Sequence, residues 1–178
     1  MITREMKWNC SGKVYMLNKK ICLIGAFCVG KTALIQRYVY SIFSERYLST
    51  LGVKISKKQI TVNGVELTMV IWDLEGKDDY ASVNFSYLRG AMGLLVVADG
   101  TRLETLETAL TLRDNSAELL GDIPSVLIIN KADLRPHWEI TDSHIEEVKR
   151  RGFEVLLTSA KTGDGVEEVF EHLARMML

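Results

Sequence analysis

The segment "GAFCVGKT", residues 25–32, has the residue types of a phosphate-binding loop. Its first and sixth positions are glycines, and Lys31 and Thr32 follow the second of them directly. Glycines let backbone N–H groups turn toward phosphate oxygens, the lysine reaches the β- and γ-phosphates, and the threonine hydroxyl is a ligand for Mg²⁺. A turn that only needs glycine does not account for the lysine and threonine together. The segment predicts a nucleotide site made of Gly25, Ala26, Phe27, Cys28, Val29, Gly30, Lys31, Thr32 and Ala33.

Two polar segments further along the chain indicate which base the nucleotide carries. "NKAD", residues 130–133, follows the apolar run "SVLII", and "TSAK", residues 158–161, follows "FEVLL". Ligands of open α/β sheets bind at the carboxyl ends of strands, where the Asp133 carboxylate accepts from N1–H and the exocyclic amine of guanine, a donor pair that adenine lacks. Alternatively, Asn130 is a turn residue and Asp133 a helix cap. The predicted base-binding residues are Asn130, Lys131, Asp133, Ser159, Ala160, whose N–H recognises guanine O6, and Lys161.

The apolar runs around these segments predict a mostly parallel sheet. Four of them are apolar on both faces, which is typical of central strands covered by helices on both sides: "ICLIG", "GLLVVAD", "SVLIIN" and "FEVLLTS". Residues 53–73 instead predict two antiparallel strands joined at Asn63-Gly64, the pair that a tight type I′ turn prefers. The predicted fold is α/β, a mostly parallel six-stranded, doubly wound sheet with helices on both faces and one antiparallel edge hairpin.

Helical spacing is expected in the segments between the strands. Residues 32–43 follow the phosphate loop, residues 105–121 end at Gly121, residues 143–152 pair Ser143 with Glu146 in a capping-box pattern, and residues 165–177 close the chain. In "RPHWEI" the tryptophan is expected to anchor a loop.

Length and composition fit a single domain. The 178 residues are 47% hydrophobic and carry a formal net charge of −1, which gives no electrostatic drive toward nucleic acid or an anionic membrane. The three cysteines have no metal-ligand spacing and suggest no disulfide framework, which favours a reducing, cytoplasmic setting. Residues 1–18 precede the core pattern, so we expect an N-terminal extension, disordered or the product of an over-long start, before a domain of residues 19–178.

These motifs together resemble a Ras-superfamily small GTPase, and the Rab branch in particular. Motifs in the family's order and spacing run through almost all of residues 19–178: "GAFCVGKT", "FSERYLSTLGV", "WDLEG", "SYLRGAMGLLVVADGTRLET", "NKAD" and "TSAK". The resemblance implies a P-loop small G domain that binds GTP or GDP with Mg²⁺.

The resemblance also implies roles that the residues alone do not give. Phe43 packs against the guanine edge, Thr50 completes the Mg²⁺ shell in the GTP state, Asp73 holds the ion through water, and Gly76 donates its N–H to the γ-phosphate. The implied metal set is Thr32, Thr50 and Asp73, and the implied catalytic set is Lys31, Thr50, Gly76 and Lys77.

Partners follow from the same resemblance. Effector proteins, an exchange factor and an activating protein are expected to bind switch I, residues 43–53, and switch II, residues 73–89, whose order depends on the γ-phosphate. The C-terminal segment has no cysteine for prenylation, so no membrane anchor is visible in this chain, and a lipidated tail outside it remains the alternative.

Three positions depart from the family pattern. Lys77 replaces the usual glutamine that orients the attacking water, and an ammonium has three donors and no acceptor. Glu75 places a carboxylate where a small apolar residue is usual, and Phe27 stands where glycine or another small residue is usual. Either these side chains are solvated surface groups, or they converge on one small site and slow hydrolysis. Two functions therefore stay open: a GTP/GDP switch with slow hydrolysis, and a non-hydrolysing GTP-binding interaction module.

Overall fold

A six-stranded sheet forms the centre of the molecule, with strand order β2-β3-β1-β4-β5-β6. The computed structural model describes residues 17–44, 52–74 and 85–178. All neighbouring strands are parallel except the β2–β3 pair, so the predicted fold is confirmed. The strands are β1 Leu17–Gly25, β2 Val53–Val62, β3 Val65–Leu74, β4 Gly93–Asp99, β5 Ser125–Asn130 and β6 Glu154–Leu157.

Helices cover both faces of the sheet. On one face, α1 and α4 join the strands in a single core, where the rings of Tyr38 and Phe170 stack with centroids 3.9 Å apart. On the other face, α2 and α3 contribute Leu112 and Val148 to a second core. Every residue of β4 is buried, because this strand lies inside the sheet between the two layers. The helices are α1 Lys31–Tyr40, α2 Glu104–Leu120, α3 Asp142–Arg150 and α4 Val166–Met176, with short 3-10 turns at Phe85–Leu88 and Ala132–His137.

The hairpin between β2 and β3 turns where the sequence predicts. Asn63 and Gly64 have φ values of 52° and 78°, both left-handed, as a type I′ turn requires. The turn fixes a register in which Val62 faces Val65 and Ile55 faces Trp72. After the turn, β3 pairs in parallel with β1, so that β3 ends beside the phosphate loop.

Three local expectations are wrong. The strand in "FEVLLTS" is the edge strand β6, with Glu154 exposed and Leu157 40% exposed, because none of the described strands pairs with its outer side. Helix α1 ends at Tyr40 and not at residue 43, since Ser41 takes a left-handed conformation with φ 57° and its N–H donates to the Arg37 carbonyl.

The third correction concerns the start of α3. Thr141 is the N-cap, and Ser143 and Glu146 form no capping box there. The His144 N–H donates to the Thr141 hydroxyl, and Nδ1 of the same residue accepts the Thr141 N–H at 3.1 Å. An imidazole nitrogen thus does what a glutamate usually does at this position. Among the described residues, no helix has the length and apolar content needed to cross a membrane.

Candidate functional site: the phosphate loop and the base loops

Both glycines of the phosphate loop are required by close contacts with neighbouring strands. Gly25 ends β1 with φ 150°, and a Cβ there would lie 2.3 Å from the Val97 carbonyl oxygen of β4. Gly30 has φ 100°, and a Cβ there would lie 2.4 Å from Nδ2 of Asn130. The loop therefore lies tightly against β4 and β5. Helix α1 begins immediately after it, at Lys31, so the loop lies at a helix N-terminus, where anions bind.

Lys31 is buried inside this loop, only 6% exposed. Its Nζ donates to the carbonyl oxygens of Gly25 and Ala26 at 2.9 and 2.8 Å. An ammonium held at this point carries positive charge to the centre of the loop. Of the neighbouring residues, Ala26 and Val29 are buried in the core and Ala33 lies in the first turn of α1.

Thr32 meets the end of β3 across the loop. Its hydroxyl donates to Oδ2 of Asp73 at 2.7 Å, and Asp73 is 2% exposed. Two predicted metal ligands are thus brought together, and a hydroxyl and a carboxylate are oxygen donors of the type that Mg²⁺ prefers. Over the described ranges, no cluster of three or more His, Cys, Asp or Glu side chains is placed to hold a metal ion. A Mg²⁺ held here takes its remaining ligands from phosphate, water or other residues.

Asn130 connects the phosphate loop to both base loops. Its Nδ2 donates to the Val29 carbonyl at 2.9 Å, and its Oδ1 accepts from the Thr158 hydroxyl at 3.1 Å and the Ala160 N–H at 3.2 Å. The side chain is 2% exposed, so this is a buried clamp and not a solvent-facing turn residue. The Ala160 N–H, predicted to recognise guanine O6, donates to Asn130 here, so a base would share that donor.

Asp133 is exposed at the edge of the same cluster. Its Oδ1 accepts from the Ser159 hydroxyl at 2.6 Å, which fixes the carboxylate between the two base loops. The N-cap of its 3-10 turn is Lys131 and not Asp133, so the helix-cap alternative is wrong. Lys161, at the end of the "TSAK" segment, is also exposed.

No sequence motif marks Arg37, yet this residue joins α1 to a base loop. Its Nε donates to the Ala160 carbonyl at 2.9 Å, and its Nη2 donates to the Lys161 carbonyl. The guanidinium also lies 5.9 Å from the ring centroid of Phe43, which packs against the core from the segment after α1. Arg37 thereby lies between Phe43 and the "TSAK" loop, and the packing of Phe43 against guanine stays a prediction. The available signal was a basic residue in the last turn of a helix.

The loop between β4 and α2 was also missed. Asp99 is fully buried at the end of β4 and its Oδ2 accepts from Nζ of Lys131 at 2.6 Å. Burial raises the pKa of Asp99, but hydrogen bonds from Lys131 and Thr101 outweigh this effect and hold the pKa below its ordinary value.

Trp138 does anchor a loop, since its Nε1 donates to the Lys131 carbonyl at 2.9 Å and its ring lies where a Cβ on Gly100 would be.

Phe27 and Cys28 lie at the outer part of the phosphate loop. Phe27 is 40% exposed, so its ring is not part of the core, and Cys28 is half-buried with φ 67°. The predicted residues Thr50, Gly76 and Lys77, together with Glu75, lie outside the described residues. Their roles remain predictions.

Strand β1, the glycine loop and the buried lysine at the start of α1 define a P-loop nucleotide-binding protein. The sequence model that describes the Ras family matches residues 20–178 of this chain. The chain is 30% identical over 168 residues to the Ras-related protein SEC4 of Saccharomyces cerevisiae, covering 94% of this chain and 78% of the relative. It is 32% identical over 161 residues to the Ras-related protein Rab-4 of Dictyostelium discoideum, at 89% and 78% coverage, and 30% identical over 165 residues to the human Ras-related protein Rab-8B, at 92% and 80%. The chain belongs to the Ras family and is a Rab-like, GTP-binding small GTPase.

The Asn130 clamp gives a stability prediction. Asn130→Ala leaves three buried partners in two loops without their hydrogen bonds, so we expect the free energy of unfolding to fall by about 2 kcal/mol. Urea unfolding followed by circular dichroism measures the change. Asn18→Ala, at an exposed position of β1, is the matched control and should change stability by less than about 0.5 kcal/mol. Equal unfolding midpoints for the two variants would contradict a stabilising role for the hydrogen bonds of Asn130.

Proposed function

We propose that this protein is a guanine-nucleotide switch that hydrolyses GTP slowly and binds its partners according to the nucleotide it holds. The observation that carries the nucleotide part is the Asn130 amide, which holds the phosphate loop and the "TSAK" loop to one side chain. A ligand that spans both loops must carry a phosphate at one end and a base at the other. This description fits a nucleoside diphosphate or triphosphate.

The guanine preference rests on Asp133. Its carboxylate is exposed and is held at one oxygen by the Ser159 hydroxyl, which orients it while leaving acceptor capacity on the group. An oriented acceptor pair matches the N1–H and amine of guanine. Phe43 and the "TSAK" loop support the same assignment, because Arg37 lies against both of them.

The phosphate end is assigned to Lys31, Thr32 and Asp73. When bound, Mg²⁺ neutralises charge that develops on the β- and γ-phosphates. Lys31 brings a second positive charge, and the Thr32–Asp73 pair supplies oxygen donors from two elements. We assign Thr50 and Gly76 to the γ-phosphate sensor of the two switches, through which effectors, an exchange factor and an activating protein bind. A cytoplasmic location is part of the same proposal.

Slow hydrolysis rests on residues whose chemistry does not suit the attacking water. Lys77 has no acceptor to take a hydrogen bond from that water. Phe27 carries a ring, 40% exposed, on the phosphate loop, where a small residue leaves room for a water-orienting side chain or an arginine from an activating protein. Glu75 carries a negative charge at a position of the family motif where a small apolar residue is usual.

Asp133→Asn tests the base assignment. An amide presents a donor where the carboxylate presents an acceptor, so we expect GDP affinity to fall by at least about tenfold and XDP affinity to rise, since xanthine offers an acceptor at that position. Calorimetric titration with GDP and with xanthosine diphosphate (XDP) measures the change in base preference. Asp122→Asn, in an almost fully exposed side chain near α2, is the charge-matched control and should leave both affinities unchanged. Full GDP affinity in the Asp133 variant would contradict the assignment of Asp133 to guanine recognition.

A double variant tests slow hydrolysis. Phe27→Gly makes room and Lys77→Gln restores an amide that both donates and accepts, so the pair should raise single-turnover hydrolysis by about tenfold or more, equal to about 1.4 kcal/mol in the barrier. Each change alone should do little, because the proposed mechanism needs both room for the water and an amide that orients it. Phosphate release from preloaded GTP measures all variants, with Glu75→Ala added on the same background.

Two outcomes of that experiment separate the functions. A parent protein that already hydrolyses GTP as fast as the double variant would show that hydrolysis is not blocked. No release from any variant, with GTP still bound, would instead favour the non-hydrolysing interaction module.

A further inference from the structure

The β4–α2 loop, residues 100–103, follows Asp99 at the end of β4 and contacts both the phosphate loop and the base loops. On the base side, the Glu139 N–H donates to the Gly100 carbonyl at 2.9 Å, and the Leu103 N–H donates to the Glu139 carboxylate at 2.9 Å. On the phosphate side, Nη2 of Arg102 donates to the Phe27 carbonyl at 2.8 Å.

Arg102 is held in place by a buried carboxylate. Its Nε donates to Oδ2 of Asp99 at 3.2 Å, while the Thr101 N–H and hydroxyl fix Oδ1 of Asp99 at 3.0 and 2.8 Å. The same Oδ2 accepts from Nζ of Lys131 at 2.6 Å. One carboxylate oxygen therefore joins a cation that reaches the phosphate loop to a cation that belongs to the base loop.

The contact with the Phe27 carbonyl has a consequence for the neighbouring N–H. A trans peptide is planar, so its carbonyl and the N–H of the next residue point in opposite directions. A charged donor that holds the Phe27 carbonyl toward Arg102 therefore turns the Cys28 N–H away from Arg102. Cys28 has φ 67°, in the left-handed region, and successive N–H groups of a right-handed and a left-handed residue, or of a turn, make concave anion sites.

We propose that Arg102 is a positioning residue that orients the Phe27–Cys28 peptide, so that the Cys28 N–H faces the phosphates, and that Asp99 couples this orientation to Lys131. The inference rests on the proposed guanine-nucleotide function and adds to it the residue that links base and phosphate recognition. Charged hydrogen bonds are the stronger ones, and Asp99 is fully buried, so the link is rigid.

Arg102→Ala removes the contact with the Phe27 carbonyl. The affinity for GDP should fall by about tenfold. GMP has no β-phosphate for the Cys28 N–H to contact, so the affinity for GMP should change by less than about threefold. Competition against a fluorescent GDP analogue measures both. Arg113→Ala is the matched control, because Arg113 in α2 has a similarly exposed side chain and pairs with Asp114 and Asp122, so this change should alter neither affinity.

Further variants separate positioning from loss of structure. Arg102→Lys keeps a cationic donor and should recover part of the GDP affinity. Asp99→Asn should weaken GDP as Arg102→Ala does, and the double variant should be no weaker than the Asp99 variant alone. Equal loss of GDP and GMP affinity in Arg102→Ala, or no loss of either, would overturn the proposal. A parent that binds no GDP would overturn the proposed function itself, and that failure is visible before any variant is made.

Discussion

The Asn130 side chain makes the interaction on which the site depends. Its amide has one donor and one acceptor end, and each is used by a different loop. The donor holds the carbonyl of Val29, whereas the acceptor holds Thr158 and Ala160. The loops are far apart in sequence and each is too short to fix itself. An unpaired buried polar group is costly, so losing one of these partners weakens the whole arrangement.

The strand order makes this meeting possible. Parallel strands β1, β4 and β5 are neighbours, so the segments after their carboxyl ends meet at one edge of the sheet. The phosphate loop, the β4–α2 loop and the "NKAD" segment all lie there. The antiparallel hairpin adds Asp73 at the end of β3, because β3 runs parallel to β1. Asp99, buried between two cations, then joins loops that the backbone only brings near one another.

The sequence predicts those parts of the molecule that are decided locally, and it misses those decided by distant contacts. The Asn63-Gly64 turn, the strand runs and the glycine loop each follow from a few adjacent residues. The link from Arg102 to Phe27 spans 75 positions and leaves no pattern in either segment. The Thr141 cap was missed because a histidine replaces the expected glutamate. The end of α1 was missed because Ser41 takes a left-handed conformation that serine rarely adopts.

The central claim is that these loops together hold one guanine nucleotide. Denaturing the purified protein and identifying the released small molecules by chromatography tests it most directly. We expect GDP or GTP in a stoichiometric amount, and we expect an Asn130→Ala variant purified in parallel to release much less. Adenine nucleotides in place of guanine nucleotides, or a folded parent that carries no nucleotide and takes up neither GDP nor GTP, would contradict it.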